Sequence, residues 1–307
     1  MERIVLASPR GWCAGVERAV ETVERALEQR GAPVYVRRQI VHNVHVVREL
    51  EAKGAVFVES VGDVPEGATV VFSAHGVAPA VHAAAAKRGL EAIDATCPLV
   101  TKVHAEARSY ARRGYTILLV GHAGHEEVEG TTGEAPESIV LVQSAAEAER
   151  LEIPGGARLA YLTQTTLSVD ETREIVEVLR RRFPGIEAPP KEDICYATTN
   201  RQAAVKRLLD EIDVLLVIGS RNSSNSNRLV EVARAVGVPA HLIDDAGAID
   251  ERWLAGRRVA GVTSGASAPE SLVQGVLEWF RARGVDDVGE TPAPESVAFR
   301  LPAPVRT

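Results

Sequence analysis

The chain has 307 residues, 45% of them hydrophobic and 25% charged, enough to bury the core of two or three ordinary globular domains. Forty-two acidic residues against 35 basic ones leave a formal charge of −7, and no dense Lys/Arg run is present, which argues against nonspecific nucleic-acid binding and attraction to anionic lipid. Three cysteines without a CxxC pair argue against both a disulfide framework and a zinc ribbon.

The first segment, MERIVLASPRGWC, has no apolar signal core, so the expected location is the reducing cytoplasm. An apolar strand-like IVLA leads to Cys13, and a helix follows with Val16, Val20, Val23 and Leu27 on its inward face, ending near Gly31. The uncharged stretch from Gly67 to Ala86 is broken by Ser73, His75, Gly76, Pro79 and His82, which excludes a membrane span. Cys97 stands directly before Pro98 and a run with Val100, Val103 and Ala107 on one face, so it falls at or beside a helix N-cap. The positive end of the helix dipole favours a thiolate there. Ser168 and Glu171 predict a capping box ahead of Ile175 and Leu179. Cys195, like the other two thiols, lies just ahead of a helical pattern. Gly54, Gly89, Gly114 and Gly237 follow helical stretches as C-terminal stops.

Between these helices lie short apolar runs that end in small polar clusters: TVVFSAHG, TILLVGHAGHEE, RLAYLTQTT, DVLLVIGSRNSSN and RVAGVTSGAS. Apolar strands alternating with helices predict an α/β protein with mainly parallel sheets covered on both faces. Ligands in such sheets bind beyond the carboxyl ends of the strands, where these polar clusters sit. The cysteine spacing suggests three similar α/β units, residues 1–95 with Cys13, 96–194 with Cys97 and 195–284 with Cys195. A Pro-rich tail, 285–307, is expected to wrap the surface without needing to form a sheet. The loop 219–227 carries no large apolar side chain to pin it.

Three thiolates from three units can hold a 4Fe-4S cluster with one iron lacking a protein ligand, open to a substrate oxygen. His42, His75, His122 and His125 lie at strand ends, near Thr165, Thr166, Ser223, Ser224, Asn225 and Ser267. Such neutral or switchable donors at helix starts suit a phosphate or diphosphate. The run HEEVE offers an acid/base group, and spacing alone does not choose Glu127 over Glu126 or Glu129. These residues point to a redox or Lewis-acid cluster enzyme acting on a small phosphorylated compound. A non-redox iron-sulfur hydro-lyase and a non-enzymatic iron-sulfur sensor are the competing classes; the sensor would have no use for diphosphate-binding loops.

The motifs PRGWCAGVERA, IVHN, SAHGV, DATCPLVTKVH, GHEEVEGT, TQTTLSVDET, EDICYATTNRQ, GSRNSSNSNRL and SGASAPE together resemble the 4-hydroxy-3-methylbut-2-enyl diphosphate reductases, from about Ile4 to about Phe280. The resemblance implies a trefoil of three α/β units about a 4Fe-4S cluster held by Cys13, Cys97 and Cys195. It implies diphosphate binding by His42, His75, His125, Ser223, Ser224, Asn225 and Ser267, with Thr165 and Glu127 orienting the substrate hydroxyl and delivering protons. It further implies reduction to isopentenyl and dimethylallyl diphosphate, with electrons from a ferredoxin or a flavodoxin and its reductase. Trp12, Glu126 and Thr132 depart from the phenylalanine, proline and methionine expected at those positions; none of the three replaces a ligand or donor.

Overall fold

The computed structural model describes residues 1–290 and 293–306. In chain order, β1 (Arg3–Leu6), α1 (Ala14–Arg30), β2 (Val34–Arg37), α2 (Val44–Ala52) and β3 (Ala55–Val58) come first. They are followed by β4 (Thr69–Phe72), α3 (Pro79–Lys87), β5 (Glu91–Asp94), α4 (Pro98–Arg112), β6 (Tyr115–Val120) and α5 (Glu126–Glu134). Next are β7 (Ile139–Val142), α6 (Ala145–Arg150), β8 (Arg158–Thr163), α7 (Val169–Arg182) and α8 (Tyr196–Leu208). The last are β9 (Val214–Ile218), α9 (Ser224–Ala235), β10 (Ala240–Ile243), β11 (Val259–Ser264), α10 (Glu270–Arg281) and β12 (Val288–Glu290).

Among the described residues the strands form three sheets in the orders β10-β9-β11-β1-β12, β3-β2-β4-β5 and β7-β6-β8, and every ladder is parallel. Continuous apolar strands are what a parallel sheet needs, because helices cover both of its faces. In β9 all five residues, Val214 to Ile218, are buried. One face of its sheet packs on Val273, Val276, Leu277 and Phe280 of α10, and the other on Val205 and Leu208 of α8 with Leu229 and Val230 of α9. The β6 sheet divides its core the same way, between Ile175 and Leu179 of α7 and Val103, Ala107 and Val128 of α4 and α5.

The helix stops fall where glycine was placed: Gly31, Gly54, Gly89, Gly114 and Gly237 all have positive φ, a conformation glycine adopts without a Cβ clash. Ser168 caps α7 by accepting from the Glu171 amide. Two features differ from the sequence expectation. β1 pairs with β11 and β12, so the strand leading to Cys13 is built into the sheet of the last third of the chain. Part of the tail is a strand, Val288–Glu290, on the outer side of β1; three residues of V-G-E give no periodicity to read.

The chain separates into two compact units. One comprises Met1–Glu17, His42–Arg48 and Tyr196–Ala298. The other comprises Arg18–Val41, Glu49–Cys195 and the C-terminal residues from Phe299.

Candidate active site

In the second of these units the candidate side chains lie at the carboxyl ends of β4, β6 and β8. His125 is the N-cap of α5, and its Nδ1 accepts from the Glu127 amide at 3.1 Å. This leaves Nε2 as the proton-bearing nitrogen of the neutral ring. The cap turns Glu127 inward, where it is 2% exposed. Its Oε1 accepts from the Thr165 amide at 2.6 Å and its Oε2 from the Thr165 hydroxyl at 3.0 Å. Burial pushes the carboxyl up to about 7, the Thr165 bonds pull it back down, and the Asp193 charge adds to the rise. The two neighbouring carboxylates face elsewhere. Glu126 lies 3.6 Å from His75 Nδ1 and accepts from the Ser73 hydroxyl at 3.3 Å, while Glu129 pairs with Arg38 at 2.8 Å.

His75 follows β4 and meets His125 edge-on, with ring centroids 5.8 Å apart. Burial, followed by the Arg38 charge, pushes its imidazole down to about 4, so the ring is neutral at pH 7. The Cys97 amide donates to Ala74 O at 3.0 Å, and the Cys195 amide to Thr165 O at 3.0 Å. The backbone of each cysteine is thereby tied to the strand end that carries a candidate histidine or acid partner. Cys97 is the N-cap of α4 with Pro98 behind it, as its sequence predicted.

In the other unit, Ser223, Ser224 and Asn225 open α9 beyond β9, and Ser267 lies beyond β11. Ser223 and Ser267 are 0% and 3% exposed. Their hydroxyls are 3.4 Å apart, Ser223 also bonds Ser226 at 2.9 Å, and Asn225 Nδ2 donates to Ser223 at 3.0 Å. The Ser267 hydroxyl donates to His42 O at 3.0 Å, and His42 Nδ1 is 3.3 Å from Asn222 Nδ2. Cys13 shares this unit: its amide donates to Ala266 O at 3.2 Å. Burial raises its thiol, opposed by the backbone N–H groups of Val16 and Gly15 and by the Arg201 charge. The loop 219–227 is thus pinned by polar bonds and close backbone contact. A methyl group on Gly219 or Gly265 would overlap the Ser226 side chain.

Sequence reasoning missed Ser73, Asn222, Ser226, Tyr196 and Arg201. Tyr196 stands beside a cysteine, which is a usable signal, and its phenol oxygen accepts from the Ala14 amide at 3.0 Å. Arg201 lies in a helical stretch where an arginine normally faces water, yet it is 1% exposed.

The three cysteines, none in a disulfide and each at the start of a helix, are the residues that could hold a cofactor. Thiolates supplied at helix N-termini match the soft, anionic ligands of an iron-sulfur cluster. The amides of Gly15 and Val16, directed at the Cys13 sulfur, favour its ligating form. No helix among the described residues is long and apolar enough to cross a membrane.

A parallel α/β protein whose strand ends carry three helix-start thiols, a buried acid and histidine–hydroxyl clusters is the class defined so far. Residues 4–281 match the LytB protein family, and the chain belongs to that family. It is 64% identical to the 4-hydroxy-3-methylbut-2-enyl diphosphate reductase of Acidothermus cellulolyticus over 99% of this chain and 90% of that one. Identity to the reductase of the same name from Mycolicibacterium paratuberculosis is 61%, over 100% and 93% of the two chains. Among solved structures, the E-1-hydroxy-2-methyl-but-2-enyl-4-diphosphate reductase of Plasmodium falciparum superposes with a TM-score of 0.94 at 38% identity, covering 99% of this chain and 96% of that one. A second, described as the terminal enzyme of the non-mevalonate pathway, gives 0.63 at 32% identity, covering 92% and 100%.

Proposed function

We propose that this chain is an oxidoreductase that removes the hydroxyl of 4-hydroxy-3-methylbut-2-enyl diphosphate to give isopentenyl and dimethylallyl diphosphate, consuming two electrons and two protons and releasing water. The observation that carries the reading is Glu127: a buried carboxyl held to about 7 by desolvation, with both oxygens fixed by Thr165, in a chain 64% identical to a reductase of that name. An acid poised near the working pH can protonate a departing hydroxyl, a job for which an ordinary exposed carboxylate is mostly ionised.

Cys13, Cys97 and Cys195 would hold a 4Fe-4S cluster, which supplies electrons and a Lewis-acidic iron for the substrate oxygen. His42, His75, His125, Ser223, Ser224, Asn225 and Ser267 would bind the diphosphate through ring N–H, hydroxyl and amide donors. Thr165 orients the substrate hydroxyl and, by donating to both oxygens of Glu127, fixes the carboxyl that supplies the proton. Glu127 delivers the proton that completes water, and the diphosphate contacts keep the allylic fragment in place for the second. Burial of Glu127 and Thr165 also limits water near the reacting carbon. The electrons come from an external donor such as ferredoxin, or flavodoxin with its reductase.

The test is anaerobic, reconstituted protein given dithionite, a mediator and the hydroxymethylbutenyl diphosphate. Both isomeric products are expected, with about four iron and four sulfide per chain. Turnover without any reductant would replace this reading with a non-redox hydro-lyase.

A further inference from the structure

Two arginines far apart in sequence grip the backbone in front of two of the cysteines in the same way. Arg201 of α8 is 1% exposed. It donates to Gly11 O through Nε at 3.0 Å and Nη2 at 2.7 Å, and to Trp12 O at 3.2 Å. These are the carbonyls two and one residues before Cys13. Arg18 of α1 donates through Nη1 to Ala95 O at 2.9 Å and Thr96 O at 3.0 Å, the carbonyls two and one residues before Cys97.

Each guanidinium also bonds the C-terminal segment, and Arg201 Nη1 donates as well to Ala197 O of its own helix at 3.1 Å. Arg201 reaches the Glu295 carboxylate at 3.3 Å, which also accepts from Asn200 Nδ2 at 2.8 Å. Arg18 Nε donates to Arg300 O at 2.7 Å. A planar guanidinium can satisfy two carbonyls and a third acceptor at once, which a lysine ammonium does with less directional constraint. Carbonyls pulled back onto a cation cannot swing toward the sulfur, where their negative ends would oppose a thiolate. Arg201 and Arg18 also set a positive charge close behind each thiol, and removal of either would leave buried carbonyls without donors.

We infer that Arg201 and Arg18 are positioning residues for Cys13 and Cys97, and that the C-terminal segment, through Glu295 and the Arg300 carbonyl, completes both grips. The inference adds to the proposed cluster binding, yet the grips themselves exist in the protein whether or not iron is bound. The stretch from Glu295 to Arg300 therefore has a task beside each of these two thiols that its lack of regular structure does not suggest.

The experiment compares the parent full-length protein with Arg201→Met, Arg201→Lys, Arg18→Met and Glu295→Gln. Iron release to a chelator is followed on loaded protein, and after metal removal the rate of iodoacetamide alkylation is mapped at each cysteine by peptide mass. With each rate taken on the high-pH plateau of its own thiol, so that the lost charge does not act through the thiolate fraction, Arg201→Met should raise alkylation of Cys13 about tenfold, the factor equivalent to about 1.4 kcal/mol of local opening, with Cys97 and Cys195 within about twofold of the parent. Arg18→Met should do the same at Cys97 alone. Glu295→Gln, which keeps shape and fold, should raise Cys13 alone by a smaller factor, and Arg201→Lys should recover part of the loss. A general loss of packing would expose all three thiols together, so equal acceleration at all three, or none at the expected one, overturns the inference. If the parent retains no iron while the site-selective pattern holds, the cluster reading fails and the positioning stands.

Discussion

Thr165 ties Glu127 and Cys195 to one strand end: it donates twice to the carboxylate, at 2.6 and 3.0 Å, and its carbonyl accepts from the Cys195 amide at 3.0 Å. A shift at residue 165 is therefore felt by an acid and by a thiol in the same movement.

Glu127→Gln keeps the size and can still pair with Thr165, but it has no proton to give. Turnover should fall on the order of a hundred- to ten-thousand-fold, with substrate still bound and unreduced. In the parent, the rate should decline as pH rises past about 7, where burial places the ionisation of Glu127. A variant within a few-fold of the parent rate removes Glu127 from proton delivery.

The same residue makes a stability prediction of defined sign. Its folded-state ionisation is raised from 4.5 to about 7, so the folded state holds more protons between these values. Its contribution to stability is then largest at low pH and declines as pH rises from 4.5 toward 7. Glu127→Gln should melt higher than the parent at pH 8, by at most about 3 kcal/mol, and the difference should vanish near pH 4. Thermal melts across pH read this directly.

His75 should stay neutral in ligand-free protein from pH 8 down to pH 5.5, since burial and Arg38 hold it at about 4. Imidazole chemical shifts that titrate near 6.5 would contradict this. Glu126 places a carboxylate 3.6 Å from that ring, in a position to repel an anion. Glu126→Gln should tighten inorganic diphosphate binding by about fivefold, equivalent to about 1 kcal/mol, as measured by calorimetry.

Gly265→Ala puts a methyl group into Ser226 Oγ and Asn225 Oδ1. Overpacking of this kind costs about 1–3 kcal/mol, and it strikes the loop that presents Ser223 and Asn225. Lower melting temperature together with a raised KM is expected; an unchanged KM would separate these donors from the diphosphate.

Cys97→Ser should abolish both iron content and turnover after anaerobic reconstitution, because the hydroxyl is a poorer, harder ligand. Full iron in the variant would remove Cys97 from the ligand set.

The helices behind the thiols were legible because their signals are local. Pro98 and the periodicity of Val100, Val103 and Ala107 define α4 without reference to the rest of the chain. The strand pairing of β1 was not legible, since Ile4 to Leu6 would suit any parallel sheet and its partners are near residue 260 and beyond. Within HEEVE, position on the helix decides what composition cannot. Glu126, Glu127 and Glu129 leave the axis in different directions, and only Glu127 among them meets Thr165. The burial of Arg201 depends on Gly11 and Glu295, roughly 190 residues upstream and 94 residues downstream, and no window of sequence contains all three.

The insertion of β1 between β11 and β12 sets an order of events on the ribosome. The neighbour that β1 pairs with, beginning at Val259, is made some 250 residues after it. At about 5–20 residues per second, β1 waits for about 12 to 50 seconds with its edges unpaired. The sheets of β2 to β8 have all their strands well before then and are free to form first. The thiol at residue 13 is thus made well before its strand is seated, so any metal loading that needs it follows the synthesis of β11 and β12.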